Sequence, residues 1–444
     1  IVMEVATGHI KAITNLQKNT DGNGYGEYYN FAVGEQGLTE PGSTFKLLSM
    51  LALLEEGAIS LKDSVETGNG TYKFYDRTMR DVKHGGHGTI TVREVFEKSS
   101  NVGISKLVNE HFGVKPSKYM EYIEKTALNK AVDFQIKGEG IPYFKKPGDK
   151  YWYGTTLPWM SIGYELKVTP LQTLMLYNAV ANDGKMVKPM IVQSISKGNV
   201  VKEKYETEVL RRQIASDKTI KDLQSLLEGA VENGTAKNIR NDNYKIAGKT
   251  GTAQKLVDGR YTQKYYASFA GYFPADRPKY SAIIVIDSPN GFNAYGGDVS
   301  APVFKEIADR IYSQDLELNQ KKEGFSPKKK SKDLPQQDFP YIQAGMVEEL
   351  QLICKEFGVA NQYDGEETWV KSSVVDQKIA WKANKVDNLK VVPDVMGMTL
   401  RDALYILENK GLRVQYSGHG RVKSQSLSAG ASIPQNGIIK VVLG

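Results

Sequence analysis

Three short stretches of this 444-residue chain hold side chains that could carry out nucleophilic chemistry. The first is TEPGSTFKLL, Thr39 to Leu48, in which Ser43 follows Pro-Gly and Lys46 stands three residues beyond it. An apolar helical run, TFKLLSMLALLEEG, continues from the serine. Ser43 is therefore expected at a helix N-terminus, where free N–H groups and the helix dipole favour a developing anion. Lys46, about one turn on, is expected on the same face. Taken alone, Ser43 is equally well a helix cap, because a nucleophile also needs a base, an oxyanion site and a substrate groove. Ser-x-x-Lys recurs at Ser194 to Lys197, in a strand-like run, and at Ser326 to Lys329, in a lysine-rich stretch beside Pro327. Neither has a helix behind it.

The second stretch, KSSNVGISKLV, places Ser99-x-Asn101 ahead of another apolar helical run. Ser-x-Asn recurs at Ser288 and Asn290 in an expected turn, so it too is weak by itself. The third, AGKTGT, holds Lys249, Thr250, Gly251 and Thr252 and occurs once. A phosphate-binding loop would need glycine five positions before Gly248, where this chain has Asn243. Its setting is expected to be strand-turn-strand rather than strand-loop-helix, which argues against a nucleotide site. Each stretch singly has a plain structural reading: Ser43 and Ser99 as caps, Lys46 and Lys249 as surface charges, Thr250 to Thr252 as a turn. The three together, in this order, point to acyl transfer through a serine.

The elements that must position these residues are legible in outline. IVMEVATGHIKAI reads as two strands about a Thr-Gly turn, and YKIAGKTGTAQK, YYASFAGYF and YSAIIVID follow one another near the end of the same region. Short connections imply antiparallel neighbours. The fold class is expected to be α+β: one antiparallel sheet built from both ends of the domain, helices on both its faces, and an all-helical lobe beside it. This large domain spans residues 1–314 and closes on the amphipathic PVFKEIADRIYSQ. A Lys/Pro/Gln-rich linker covers 315–340. A connecting segment of unassigned role, 341–388, places Met346, Val347, Leu350, Cys354 and Phe357 near helical spacing. Residues 389–444 are expected to form a small αβ module, with the helix LRDALYILENKG and the strands LRVQYS, GRVKSQSLS and GIIKVVLG.

Composition narrows the function classes. One cysteine, Cys354, excludes an intrachain disulfide, a cysteine-built zinc site and a CxxC pair. His84 and His87 in HGGHG have no nearby carboxylate or thiol ligands and read as a glycine turn leading into TITV. No metal is expected. The net charge of +7 is concentrated in part in KKEGFSPKKKSKD, without the interleaved aromatics that a nucleic-acid surface wants. No stretch is long and apolar enough to span a membrane.

With these elements in place the chain closely resembles the penicillin-binding transpeptidase family, in its monofunctional class B branch. The likeness runs over residues 1 to 312 through VMEVATGHIKAI, EPGSTFK, HGTITVREVFEKSSNVG, VTPLQ and GKTGTAQK. Val392 to Gly444 is similar to a PASTA module through VPDVMGM, DALYILENKGL, GRVKSQSLSAG and NGIIKVVL.

The resemblance implies a peptidoglycan D,D-transpeptidase with no cofactor, in which Ser43 is acylated by a D-Ala-D-Ala donor peptide. Lys46 would be the base, Ser99 the proton relay to the leaving amine, and Asn101 a partner of the substrate amide. The N–H groups of Ser43 and Thr252 would form the oxyanion hole. Lys249, Thr250 and Thr252 would bind the terminal carboxylate, and Gly251 would let it approach. Expected partners are stem peptides as donor and amine acceptor, β-lactam antibiotics, a glycosyltransferase and division proteins, and no nucleic acid. Members of this class carry a membrane anchor and pedestal ahead of the catalytic domain, so an exported, single-pass protein working at the division septum is expected. A class A β-lactamase would need glutamate four residues before an asparagine, whereas in EKTALN Glu124 precedes Asn129 by five. A D,D-carboxypeptidase and a non-catalytic β-lactam or muropeptide sensor stand as the rival readings.

Overall fold

The computed structural model describes residues 1–197, 200–257, 259–289, 294–315, 318, 345–363, 365, 369–375, 378–383, 391–434 and 437–444. Its chain divides into two compact units, Ile1–Glu323 and Gly324–Gly444. Ser326 to Lys329 and Asn290, the positions of two recurring short patterns, lie outside the described residues.

In the first unit a five-stranded sheet is made of β1 (Val2–Glu4), β2 (Ile10–Ala12), β3 (Ala247–Val257), β4 (Arg260–Phe273) and β5 (Tyr280–Asp287). Its order is β3-β4-β5-β1-β2 with every pair antiparallel. The first strand thus sits beside the last, Val2 opposite Ala282. The sheet joins both ends of the domain, as expected, and leaves β3 on an edge.

Among the described residues eight α-helices accompany it: α1 (Lys46–Glu55), α2 (Val92–Glu97), α3 (Asn101–Phe112), α4 (Pro116–Lys125), α5 (Thr156–Met160), α6 (Pro170–Ala181), α7 (Asp217–Glu232) and α8 (Gly296–Gln314). Strand alternation sorts β4 between two cores. Phe269 and Phe273 face Phe304 of α8, at ring-centroid distances of 4.8 and 5.7 Å. Ala270 and Tyr272 face the core that includes Leu174 and Tyr177 of α6. Helices therefore cover both faces. The lobe beside the sheet is built around α1, whose Leu47, Leu48, Met50, Leu51, Ala52 and Leu53 are all fully buried. A helix apolar on every side belongs at the centre of a bundle, and α1 packs on α3, α4 and α7.

The second unit holds two small segments. In the first, α9 (Val347–Glu356) is followed by β6 (Asn361–Gln362), β7 (Trp369–Val375) and β8 (Lys378–Ala383). β8 pairs parallel with β6 and antiparallel with β7. The helical spacing holds for Leu350 and Cys354, which are buried, but Met346 and Phe357 lie just outside α9 and are exposed. The apolar periodicity thus runs one residue beyond α9 at each end. In the second segment α10 (Leu400–Asn409) is followed by β9 (Arg413–Ser417), β10 (Val422–Gln425) and β11 (Ile438–Leu443). There β11 pairs parallel with β9 and antiparallel with β10. Apart from the short strand Gly345–Met346, which pairs antiparallel with β7 in the first, the two segments share one arrangement of helix and strands and one way of leaving the helix. Gly358 and Gly411 both have positive φ, and the next residue's N–H returns to the helix, Val359 to Cys354 O and Leu412 to Leu407 O. Among the described residues no helix is long and apolar enough to cross a membrane.

Candidate active site

Ser43 does not begin the α-helix as the spacing suggested; it lies in a 3-10 turn, Gly42–Phe45, that runs directly into α1 at Lys46. The Pro-Gly pair accounts for this, since Gly42 takes a positive φ that lets the chain enter the helix through a tighter turn. Three surroundings hold the turn. Tyr177 of α6 donates to Thr44 O at 2.8 Å, Gly42 N donates to Gly163 O at 3.1 Å, and a Cβ on Gly42 would lie 3.1 Å from Thr252 O. The serine is half-buried between the helical lobe and the sheet edge.

Lys46 is fully buried, and its Nζ donates to Ser99 O at 2.7 Å, Ser99 Oγ at 3.1 Å and Asn101 Oδ1 at 2.7 Å. All three partners stand at the start of α3, where Ser99 has the left-handed φ of 58° and Asn101 is the first helical residue. A serine held there is strained, and such outliers gather where geometry is set by function. Asn101 Nδ2 donates to Arg80 O at 2.8 Å, which fixes the amide so that its oxygen faces the lysine.

The Lys249 to Thr252 stretch lies within strand β3 and not in a turn. Gly248 and Gly251 look like turn signals in the sequence, yet β3 pairs with β4 continuously from Ala247 to Gln254. What Gly251 provides is approach: a Cβ there would lie 2.3 Å from Ser268 Oγ and 2.8 Å from Thr44 Cγ2. The strand edge is thereby brought against the turn that carries Ser43. Lys249 is fully buried beneath this edge, its Nζ 5.9 Å from the Phe96 ring centroid and 3.2 Å from Thr250 O. Thr250 Oγ1 is hydrogen-bonded to Thr235 Oγ1 at 2.7 Å, and Thr252 Oγ1 accepts from Gly296 N, the first residue of α8, at 3.1 Å. Having accepted from that N–H, the Thr252 hydroxyl keeps its proton to donate elsewhere.

Two amines in one buried site cannot both stay charged. Burial holds Lys46 well below its ordinary 10.5, with the Lys249 charge adding to the effect and Asp81 opposing it. Lys249 is lowered to about 7 by burial.

The structure therefore brings together the residues picked from sequence: Lys46 touches Ser99 and Asn101, and Gly251 abuts the Ser43 turn. Ser194 and Lys197 lie in an exposed two-stranded ribbon and not at the start of a helix. Sequence reasoning missed Asp81, Ser100, Thr235 and Tyr177. Ser100 beside Ser99 was a visible cue, whereas Thr235 in ENGTAKN and Asp81 had no short-range signal.

The family model for the penicillin binding protein transpeptidase domain matches residues 1–309. The chain belongs to that family. A PASTA domain model matches residues 390–444. Similar relatives include stage V sporulation protein D of Bacillus subtilis, 29% identical over 91% of this chain and 54% of that protein. The peptidoglycan D,D-transpeptidase FtsI of Escherichia coli is 29% identical over 69% of this chain and 50% of its own length. Penicillin binding protein 3 of Mycobacterium tuberculosis, solved in complex with ampicillin, superposes with a TM-score of 0.61 at 28% identity, covering 70% of this chain and 71% of that one. The chain spans about half the length of the curated relatives it matches.

Proposed function

We propose that this chain is a peptidoglycan D,D-transpeptidase working through a Ser43 acyl-enzyme. The observation that carries the reading is the buried, hydrogen-bonded Lys46 amine on the helix entered from the Ser43 turn, with its proton affinity lowered by burial and a second lysine. A neutral amine in that place can take the Ser43 proton as Oγ attacks the penultimate D-Ala carbonyl. The new Oγ–C bond forms, the C–N bond to the terminal D-Ala breaks, and the leaving nitrogen takes up the proton through Ser99 Oγ. An acceptor amine then attacks the ester, gives up a proton by the reverse route, and frees Ser43.

The remaining roles follow from position. The N–H groups of Ser43 and Thr252 are assigned to the oxyanion, because the turn and the β3 edge meet at Gly42 and Gly251. Lys249, Thr250 and Thr252 are assigned to the donor carboxylate, which would restore the Lys249 charge on binding. Asn101 is assigned to the donor amide. The E. coli relative's name, a peptidoglycan D,D-transpeptidase, and the ampicillin complex of the M. tuberculosis protein support the substrate and the inhibitor class. This reading places the catalytic unit outside the cytoplasm on a membrane-anchored chain, in septal wall synthesis with a glycosyltransferase and division proteins.

Mass spectrometry of the protein treated with labelled penicillin should locate the adduct on Ser43, and Ser43→Ala should abolish it while keeping the fold. An adduct on another serine refutes the assignment. D-Ala release from a stem peptide should accelerate when an acceptor amine is added. Steady release with no amine in the product means a carboxypeptidase, rapid amine-independent loss of the β-lactam adduct means a β-lactamase, and labelling without any turnover of peptide means a sensor.

A further inference from the structure

The site leaves one carboxylate unassigned. Asp81 follows the strand Arg77–Arg80, nineteen residues before Ser100, and faces the start of α3. Its Oδ1 accepts the Val102 N–H at 2.9 Å, and both its oxygens accept from Ser100 Oγ, at 3.1 and 3.0 Å. Ser100 Oγ in turn accepts Gly103 N at 2.9 Å as the helix N-cap. Two of the first N–H groups of α3 are thus satisfied by a serine and an aspartate that are bonded to each other. The residues on either side of Ser100 are Ser99 and Asn101, the partners of Lys46.

The HGGHG stretch, which the chemistry at Ser43 does not use, explains how Asp81 is held. Gly88 O accepts Thr67 N at 2.8 Å, Gly88 N donates to Gly68 O at 3.0 Å, and Gly70 O accepts Asp81 N at 2.8 Å. A Cβ on Gly86 would lie 2.1 Å from Gly70 N, so only glycine lets these two loops touch. The glycine pair presses the 67–70 loop against the Asp81 backbone, and Asp81 presses on α3.

We propose that Asp81 is a positioning residue for the reaction at Ser43: it clamps the start of α3 so that Ser99 and Asn101 meet Lys46, and its carboxylate is an anion set against the buried Lys46 amine. The inference rests on Lys46 acting as the base. The charges that act on Lys46 are Lys249 from β3, which disfavours its proton, and Asp81, which favours it. His87 lies on the same loop and is held below its ordinary 6.5, chiefly by burial, with Asp81, Lys83, Lys98 and Glu94 around it, so it is the histidine whose titration the test must separate from that of Lys46.

The test is the second-order rate of Ser43 acylation by a fluorescent penicillin across pH 5 to 9, for the whole chain and three variants. Removing the negative charge in Asp81→Asn lets Lys46 lose its proton more readily. The acid limb of the profile should then move to lower pH by about one unit, and the plateau should fall roughly tenfold or more because the clamp is weakened. Ser100→Ala loosens the clamp but keeps the charge, so the plateau should fall with the limb unmoved. His87→Gln should leave the limb in place, which separates Lys46 from the histidine. An Asp81→Asn protein with the wild-type plateau and limb overturns the proposal. A uniform fall with no shift of the limb overturns the charge role. If Asp81→Asn does not fold, an unchanged plateau in Ser100→Ala overturns the clamp. A wild-type protein that never labels at Ser43 overturns the parent reading and this one with it.

Discussion

At the scale of single residues the site is costly. Burying an amine without a full counter-charge disfavours the folded state, and here two lysines are fully buried, with Asp81 set against Lys46. The cost has a pH signature. Lys249 falls from 10.5 to about 7 on folding, so between about pH 7 and pH 10.5 the unfolded chain binds more protons than the folded one. Stability must then rise with pH across that window, and Lys46 adds a slope of the same sign. Lys249→Met removes the buried amine and keeps much of its volume. It should stabilise the protein at pH 7 by about 1–4 kcal/mol and flatten the rise towards pH 9.5, both read from urea melts at the two pH values. The same variant should be acylated far more slowly by β-lactams that bear a carboxylate, with a smaller loss for ligands lacking one. A less stable Lys249→Met would mean that the Thr250 O bond and the contact with Phe96 outweigh desolvation.

At the scale of elements, catalysis depends on how closely strand β3 meets the turn before α1. Gly251 sets that distance, because Ser268 and Thr44 leave no room for a Cβ. Gly251→Ala should push the strand edge away from Ser43. We expect a destabilisation of about 1–3 kcal/mol by overpacking and a fall in acylation rate larger than that loss explains, measured by thermal melting and penicillin labelling on one sample. A tight approach of this kind is hard to read from sequence, since Gly248 and Gly251 carry the composition of a turn and only pairing with β4 makes them strand. The antiparallel pairing of β3, β4 and β5 was legible because alternation and short connections are local properties, and the Ser-x-x-Lys, Ser-x-Asn and Lys-Thr-Gly patterns that the structure brings together were visible because the spacing within each is local too. Asp81 was not, because its partner Ser100 is nineteen residues away and a single aspartate between a strand and a glycine turn has many ordinary readings. Thr235 was hidden in the same way by its fifteen-residue separation from Thr250.

At the scale of the whole molecule, the question is where the catalytic unit ends. The sequence pattern stops at PVFKEIADRIYSQ, which invites a truncation near Ser313. The structure argues for a later cut. Asp315 accepts from Lys279 Nζ at 2.8 Å and from Tyr280 OH at 3.0 Å, tying the residue after α8 to the start of β5, and Leu318 is only 5% exposed. A stop after Ser313 also removes Gln314, the last residue of the helix whose Phe304 packs on Phe269 and Phe273. Such a protein should lose roughly 1–3 kcal/mol through the severed ion pair and the missing apolar side chain. A stop after Glu323 follows the division between compact units and keeps all these contacts. It should melt cooperatively and label with penicillin at the full-length rate, since the residues around Ser43, Lys46 and Lys249 all come from the first unit. The two αβ segments beyond it bury cores of their own, one around Cys354 and Trp381, the other around Leu407 and Ile439. Acylation rates and melting temperatures of the two truncations, measured beside the full chain, decide the point. A Glu323 truncation that folds but labels slowly would show that the second unit helps to shape the site.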